Sequence, residues 1–214
     1  VSILQYKADG FLPEALINYM IRLGWSYGDQ EIFSIDFIKK KFSLDKLGKS
    51  PAKIDNQKLN FLNNFYIKEM PNEKILNHLK KDTEKIEKPD FFSQRDLLEL
   101  IDLYKDRSSS LNDIKSNILK LNSVKTSFTK EELNILEEFK KYKKIFKDKF
   151  SDMIEWNDLN IEKTIKDVVN YYDISFKLVA QPLRLLITGS ISGPSIYKII
   201  RILGNEETIK RIDR

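Results

Sequence analysis

The residues best suited to chemistry cluster late in the chain, in Gln181 to Leu203, QPLRLLITGSISGPSIYKIIRIL. Two apolar helical runs flank a hinge of Thr188, Gly189, Ser190, Ser192 and Gly193. Glycine accepts the left-handed conformation that ends a helix, which places Gly189 at the stop of the first run. Proline's fixed φ and missing N–H suit a first helical turn, which places Pro194 at the start of the second. Arg184, Tyr197, Lys198 and Arg201 lie near this corner. A helix N-terminus beside arginines and an aromatic ring can receive a phosphate or an unstacked base. A tight helical hairpin with a solvated basic face accounts for the same residues, and on these residues alone both readings stand.

Two further basic features carry the same ambiguity. The helix expected over 130–150 has an outer face of Lys140, Lys141, Lys143, Lys144, Lys147 and Lys149. Such a face can track a phosphate backbone, with Lys140 and Lys144 as candidate contacts, or can be merely solvated. Arg107 ends a helical run just before Ser108, Ser109 and Ser110. Its planar fork of donors suits base edges, and it equally suits the carbonyls of a helix C-terminus.

Other chemistry is largely excluded. The chain has no cysteine, which removes disulfides, thiolate zinc sites and cysteine nucleophiles. His78 is the only histidine and is expected to be a solvated surface residue. There is no Gly-rich phosphate loop, no HExxH and no GxSxG, so no catalytic or metal-binding residue is expected. No apolar run reaches the length of a membrane span, and no signal-peptide pattern opens the chain. The chain starts at Val1 rather than methionine, as a fragment would.

Helices must position these groups. With 214 residues, 41 % hydrophobic and 32 % charged, the chain can build a core. Its net charge of +5 is mildly basic, compatible with a polyanion partner without requiring one. Val1 to Gly10 shows no clear period. Ala15, Leu16, Tyr19, Met20 and Leu23 share one helical face after Pro13. Ser34, Asp55, Ser93 and Ser110 are placed to cap further helices, and Thr129 with Glu132 forms a capping-box pattern. A polar helix is expected from about Glu73 to Glu87, closed by Pro89. Ile135, Phe139, Tyr142, Phe146 and Phe150 form the core face of the 130–150 helix. Helical periods dominate from Ser34 onward, so the expected class is all-α. Segments 1–70, 71–128 and 129–214 are expected as domains, because the pattern resets near Pro71 and near Lys125 to Phe128.

Three segments together resemble bacterial glutamyl-tRNA synthetases, downstream of the signature lysine loop of the class I catalytic domain. The first holds Val1-Ser2, Tyr6, Gly10 to Leu16 and Leu23 to Ser26. The second holds Ser50-Pro51-Ala52, Lys58-Leu59 and Phe61-Leu62-Asn63, with Phe61 where tryptophan is usual. The third holds Pro182-Leu183-Arg184, Thr188-Gly189, Gly193-Pro194 and Leu203-Gly204, with Ile187 where leucine is usual. The resemblance implies a small, mainly helical stem-contact domain over 1–70 and a helical anticodon-binding region in two subdomains. It implies anticodon contacts at Arg184, Gly193, Pro194, Ile196 and Tyr197, with Arg107 on the third base. Lys140, Lys144, Lys198 and Arg201 are the candidate phosphate contacts. It further implies a cytoplasmic, monomeric ligase that joins glutamate to tRNA(Glu), with tRNA(Gln) left open as a second partner. ATP and Mg2+ would act in the full-length enzyme, and the fragment alone would be inactive. A helical protein-interaction module without an RNA partner is the alternative, and the glutamine-specific relative is disfavoured by the helical C-terminal half.

Overall fold

The computed structural model describes residues 2–48, 53–81, 92–123 and 125–213. Among these residues the regular structure is helical, as expected of an all-α chain. In chain order the α-helices are α1 Ile3–Ala8, α2 Pro13–Gly24, α3 Ile35–Lys41, α4 Asn56–Glu69, α5 Asn72–Lys81 and α6 Gln94–Lys105. They continue with α7 Leu111–Asn122, α8 Lys130–Ser151, α9 Asp158–Tyr171, α10 Phe176–Thr188, α11 Ile196–Leu203 and α12 Asn205–Asp213. A single turn of 3-10 helix spans Leu44–Lys46, and an isolated bridge pairs Trp25 with Leu47. No described helix is long and apolar enough to cross a membrane. The chain forms two compact units, Val1–Glu84 with Tyr104–Ser116, and Lys85–Leu103 with Asn117–Arg214.

In the first unit α2 packs on α4 through Leu16, Tyr19, Leu59 and Leu62, with Tyr6, Phe11, Leu23 and Ile32 at the margin. Each such side chain, fully buried, stabilises by roughly 1.5–3 kcal/mol. A second cluster gathers Trp25, Phe33 and Ile38. Two buried asparagines tie the loops to these helices. Asn18 donates to the Glu31 carbonyl at 2.9 Å and accepts the Phe33 N–H at 2.6 Å. Asn63 accepts the Leu12 N–H at 2.8 Å and donates to the Ser109 carbonyl at 2.6 Å. Buried polar groups need such partners, since leaving one unmade costs about 1–3 kcal/mol.

Two local expectations change, and a third lies partly outside the described residues. α1 forms where no period is visible: six residues are too few to show one, and Ser2 caps the helix by accepting the Gln5 N–H. Met20, expected on the core face of α2, is 57 % exposed. α5 is described only as far as Lys81, so the expected run to Glu87 and its stop at Pro89 lie outside the described residues. The caps at Ser34, Asp55, Ser93, Ser110 and Thr129 form as expected, the last as a reciprocal capping box with Glu132.

In the second unit α8 is the central element, contacted by α10 and α12, while α11 packs on α9 and α12. Phe139, Phe146 and Phe150 are buried along α8, and Trp156 meets Phe150 edge-on at 5.6 Å. Arg211 is buried to 1 % exposure in the same unit. It donates to the Leu121 and Ile187 carbonyls, each at 2.6 Å, and to the Glu207 carboxylate at 2.7 Å. Leu121 and Ile187 are the penultimate residues of α7 and α10, where carbonyls lack intrahelical partners. One guanidinium therefore satisfies two helix ends.

Burial pushes the Glu207 carboxyl up, but the Arg211 hydrogen bond and charge outweigh it and hold the group below its ordinary value. Removing one partner of such a pair leaves a buried charge uncompensated. Arg211→Met is therefore expected to cost about 3–5 kcal/mol in urea unfolding; a loss under 1 kcal/mol would contradict this role. A depressed carboxyl stabilises fully above its unfolded pKa, and that contribution is lost as pH falls through the folded pKa. Stability should therefore drop below about pH 4.3, with a shallower drop in Glu207→Gln, measured by unfolding midpoints across pH 2–6.

Candidate nucleic-acid interface

The corner between α10 and α11 brings most of the expected site residues together. Gly189 ends α10 at φ +75°, the left-handed conformation expected of it, and its N–H bonds the Leu185 carbonyl at 3.0 Å. The Thr188 hydroxyl donates to the Arg184 carbonyl at 2.9 Å and accepts the Ser190 N–H at 3.3 Å. This closes the last turn of α10 and directs the chain into the Ser190 to Ser195 loop. Pro194 departs from expectation. It precedes the cap residue Ser195, and α11 starts at Ile196. Pro194 is buried, and its carbonyl accepts the Arg184 guanidinium.

That bond fixes the arginine across the mouth of the corner. A Cβ added at Gly193 would lie 3.6 Å from the Arg184 Nη1, so the bare glycine keeps this side of the guanidinium uncrowded. Tyr197 lies half-buried on α11, and its ring meets that of Phe176 at 6.2 Å between centroids, edge to face. Phe176 opens α10 and is 40 % exposed. Burial and the Glu162 carboxylate push the Tyr197 phenol above its ordinary value, while Lys166 and Arg184 pull it down. Tyr197 therefore stays a neutral hydroxyl at physiological pH, with three charged groups in electrostatic reach. Glu162 is itself paired with Lys166 at 2.6 Å. The corner thus combines a held guanidinium, an aromatic edge and a hydroxyl, which can together hold and read a flat, unpaired base.

The other expected residues divide by their surroundings. Ile196 is 1 % exposed, so its side chain belongs to the core and only its backbone can contribute to a contact. Arg201 is bonded to Glu99 and, through Nε at 2.9 Å, to Asp158. Burial disfavours its charge, but the two carboxylates outweigh that and raise its pKa. Its charge is matched within the fold, so it acts as a tie among α6, α9 and α11 rather than as a free phosphate ligand. Lys198 and Lys144 are exposed, and Lys140 is exposed and paired with Glu137 at 2.5 Å. Arg107 lies in the other unit, exposed in the turn after α6. Ser50, Pro51 and Ala52 of the second resemblance segment lie outside the described residues. Sequence reasoning missed Phe176, whose position just after Ser175 is a helix-start signal, and it missed Arg211, which no local pattern marks.

Fold and corner together define an all-helical domain whose α10–α11 corner holds a guanidinium at a backbone carbonyl near an aromatic pair. The chain belongs to the anticodon binding domain family, whose model matches residues 65–214. A second model, the catalytic domain of class I tRNA synthetases (E and Q), matches residues 1–61. The glutamate–tRNA ligase of Wigglesworthia glossinidia brevipalpis is 36 % identical over 216 residues, covering 99 % of this chain and 45 % of the relative. That of Pelagibacter ubique is 36 % identical over 214 residues, covering 97 % and 45 %. The crystal structure of a glutamate tRNA ligase from Elizabethkingia meningosepticum superposes with a TM-score of 0.85 at 29 % identity, covering 97 % of this chain and 41 % of that one. The chain thus spans less than half the length of the relatives it matches.

The Gly189 conformation is costly for any other residue, and a Cβ there would lie 3.3 Å from the Lys125 Cβ. Gly189→Ala is expected to lower stability by about 1–2 kcal/mol, whereas Gly193→Ala should be near neutral. Thermal unfolding of the two variants checks this, and equal effects would contradict the reading of the corner.

Proposed function

We propose that this chain is the tRNA-binding part of a glutamate–tRNA ligase and that the Arg184 corner reads the first anticodon base. The observation that carries the reading is the Arg184 guanidinium, held by the Pro194 carbonyl beside Tyr197 in a chain of the anticodon-binding family. A splayed base stacks on the face of an aromatic ring for roughly 1–3 kcal/mol, and its polar rim meets the arginine fork. The backbone at Gly193, Pro194 and Ile196 lines the contact, Arg107 takes the third base, and Lys140, Lys144 and Lys198 meet phosphates.

The wider protein would ligate glutamate to tRNA(Glu) with ATP and Mg2+, using catalytic residues outside this chain. The fragment alone would be inactive, because only residues 1–61 match the catalytic family. tRNA(Gln) is a possible second substrate, decided at the third anticodon base. We further assign the protein to the cytoplasm as a monomer. Within it, residues 1–70 would touch the tRNA stem, and 71–128 and 129–214 would form two anticodon subdomains. The meeting of the two family matches between residues 61 and 65 supports the first division.

The test is titration with the tRNA(Glu) anticodon stem–loop across a salt series. Arg184→Ala is expected to weaken binding by about 1–3 kcal/mol, or roughly 5- to 150-fold. Lys198→Ala should reduce the salt slope by about 1, while Arg201→Ala should lower stability and leave the slope unchanged. Unaltered affinity in Arg184→Ala, with the fold intact by circular dichroism, would sink the assignment.

A further inference from the structure

We propose that Asn64 is a positioning residue for RNA reading: it clamps the turn that presents Arg107 and so sets how sharply the third anticodon base is discriminated. The inference rests on the proposed reading of that base by Arg107.

α6 ends at Lys105, and Arg107 follows two residues later. The backbone of this turn is drawn inward at several points. The Arg107 N–H donates to the Tyr104 carbonyl at 3.0 Å, and the Ser108 hydroxyl donates to the same carbonyl at 2.9 Å. The Asp113 carboxylate accepts the Ser109 and Ser110 N–H groups at 2.8 and 2.9 Å. Asn64 comes from α4, across the unit. Its side-chain amide donates to the Lys105 carbonyl at 3.3 Å and to the Ser108 carbonyl at 2.7 Å. Those two carbonyls bracket Asp106 and Arg107. Both partners are acceptors, which fixes the amide orientation. Lys105 is the last residue of α6, so its carbonyl is one of those a helix leaves without an internal partner.

The Arg107 side chain has the opposite character. It is exposed, and no hydrogen bond or ion pair holds it among the described residues. The turn is therefore anchored through its backbone while its cation projects outward. A bidentate base contact depends on the direction of the guanidinium fork. A phosphate contact depends mainly on charge. Loss of the Asn64 clamp leaves the Lys105 carbonyl with the Ser108 N–H at 3.4 Å and takes the side-chain donor from the carbonyl of the buried Ser108, so the turn loosens while the Asp113 and Tyr104 bonds still hold it to the unit. The consequence falls on base discrimination rather than on overall attraction for RNA.

The experiment uses the full-length protein and anticodon stem–loops of tRNA(Glu) that differ only at the third or only at the first anticodon base. Asn64→Ala is expected to reduce third-base discrimination about tenfold, with first-base discrimination unchanged. The Asn64→Ala/Arg107→Ala double variant should match Arg107→Ala alone, since one residue acts through the other. If Arg107→Ala loses third-base discrimination while Asn64→Ala keeps it, the positioning role is wrong. Loss at both bases in Asn64→Ala, with a lowered unfolding temperature, shows a merely structural role and overturns the proposal. If Arg107→Ala itself keeps third-base discrimination, the underlying reading of Arg107 fails, and the positioning role falls with it.

Discussion

The buried guanidinium of Arg211 is the constraint on which the second unit depends. It comes from α12, the last described helix, and it reaches the penultimate carbonyls of α7 and α10. A helix end buried without a partner is unfavourable, and a buried charge without one is worse. Here the two problems answer each other, and Glu207 completes the pairing one helical turn away. The corner that carries Arg184 begins within two residues of one of those carbonyls. The position of Arg184 is therefore inherited from an interaction at the C-terminal end of its own helix.

The same logic appears at the turn after α6 in the first unit. There the terminal Lys105 carbonyl is met by Asn64, and the Ser109 carbonyl by the buried Asn63. In each unit an arginine suited to reading bases stands near the C-terminal end of a helix, a location where a cation is also favourable for the helix itself. In each, side chains from other helices meet the helix-end carbonyls: Arg211 at Ile187, and Asn64 at Lys105. The arginine is thereby left to a different task. Arg201 is the instructive contrast. It has the same chemistry on the same corner, yet Glu99 and Asp158 hold it, which makes it a tie within the fold.

Much of the helical frame was legible from local rules. Caps at Asp55 and Thr129 and the left-handed stop at Gly189 are decided within four residues, so the chain states them directly. The buried face of α8 is read from its apolar spacing, and the family signature at Pro182-Leu183-Arg184 marks the corner. What escaped depends on partners distant in sequence. Arg211 looks like any basic residue near a chain end, because its carbonyl partners lie 24 and 90 residues away. Asn63 sits in an apolar period as a polar exception whose reason is Leu12 and Ser109. The resemblance implies a contact at Ile196, whereas the strongly one-sided α11 turns its side chain inward. Pro194 looks like a helix start, but α11 begins at Ile196 and the Pro194 carbonyl accepts the Arg184 guanidinium.

The proposed seat of the first anticodon base is the corner between α10 and α11. Photo-crosslinking tests it most directly, with 4-thiouridine placed at the first anticodon position and the adduct mapped by peptide sequencing. Crosslinks are expected within residues 184–197, centred on Arg184 and Tyr197, and lost when unlabelled tRNA(Glu) competes. Crosslinks confined to the lysine face of α8, or to the first unit, would contradict it.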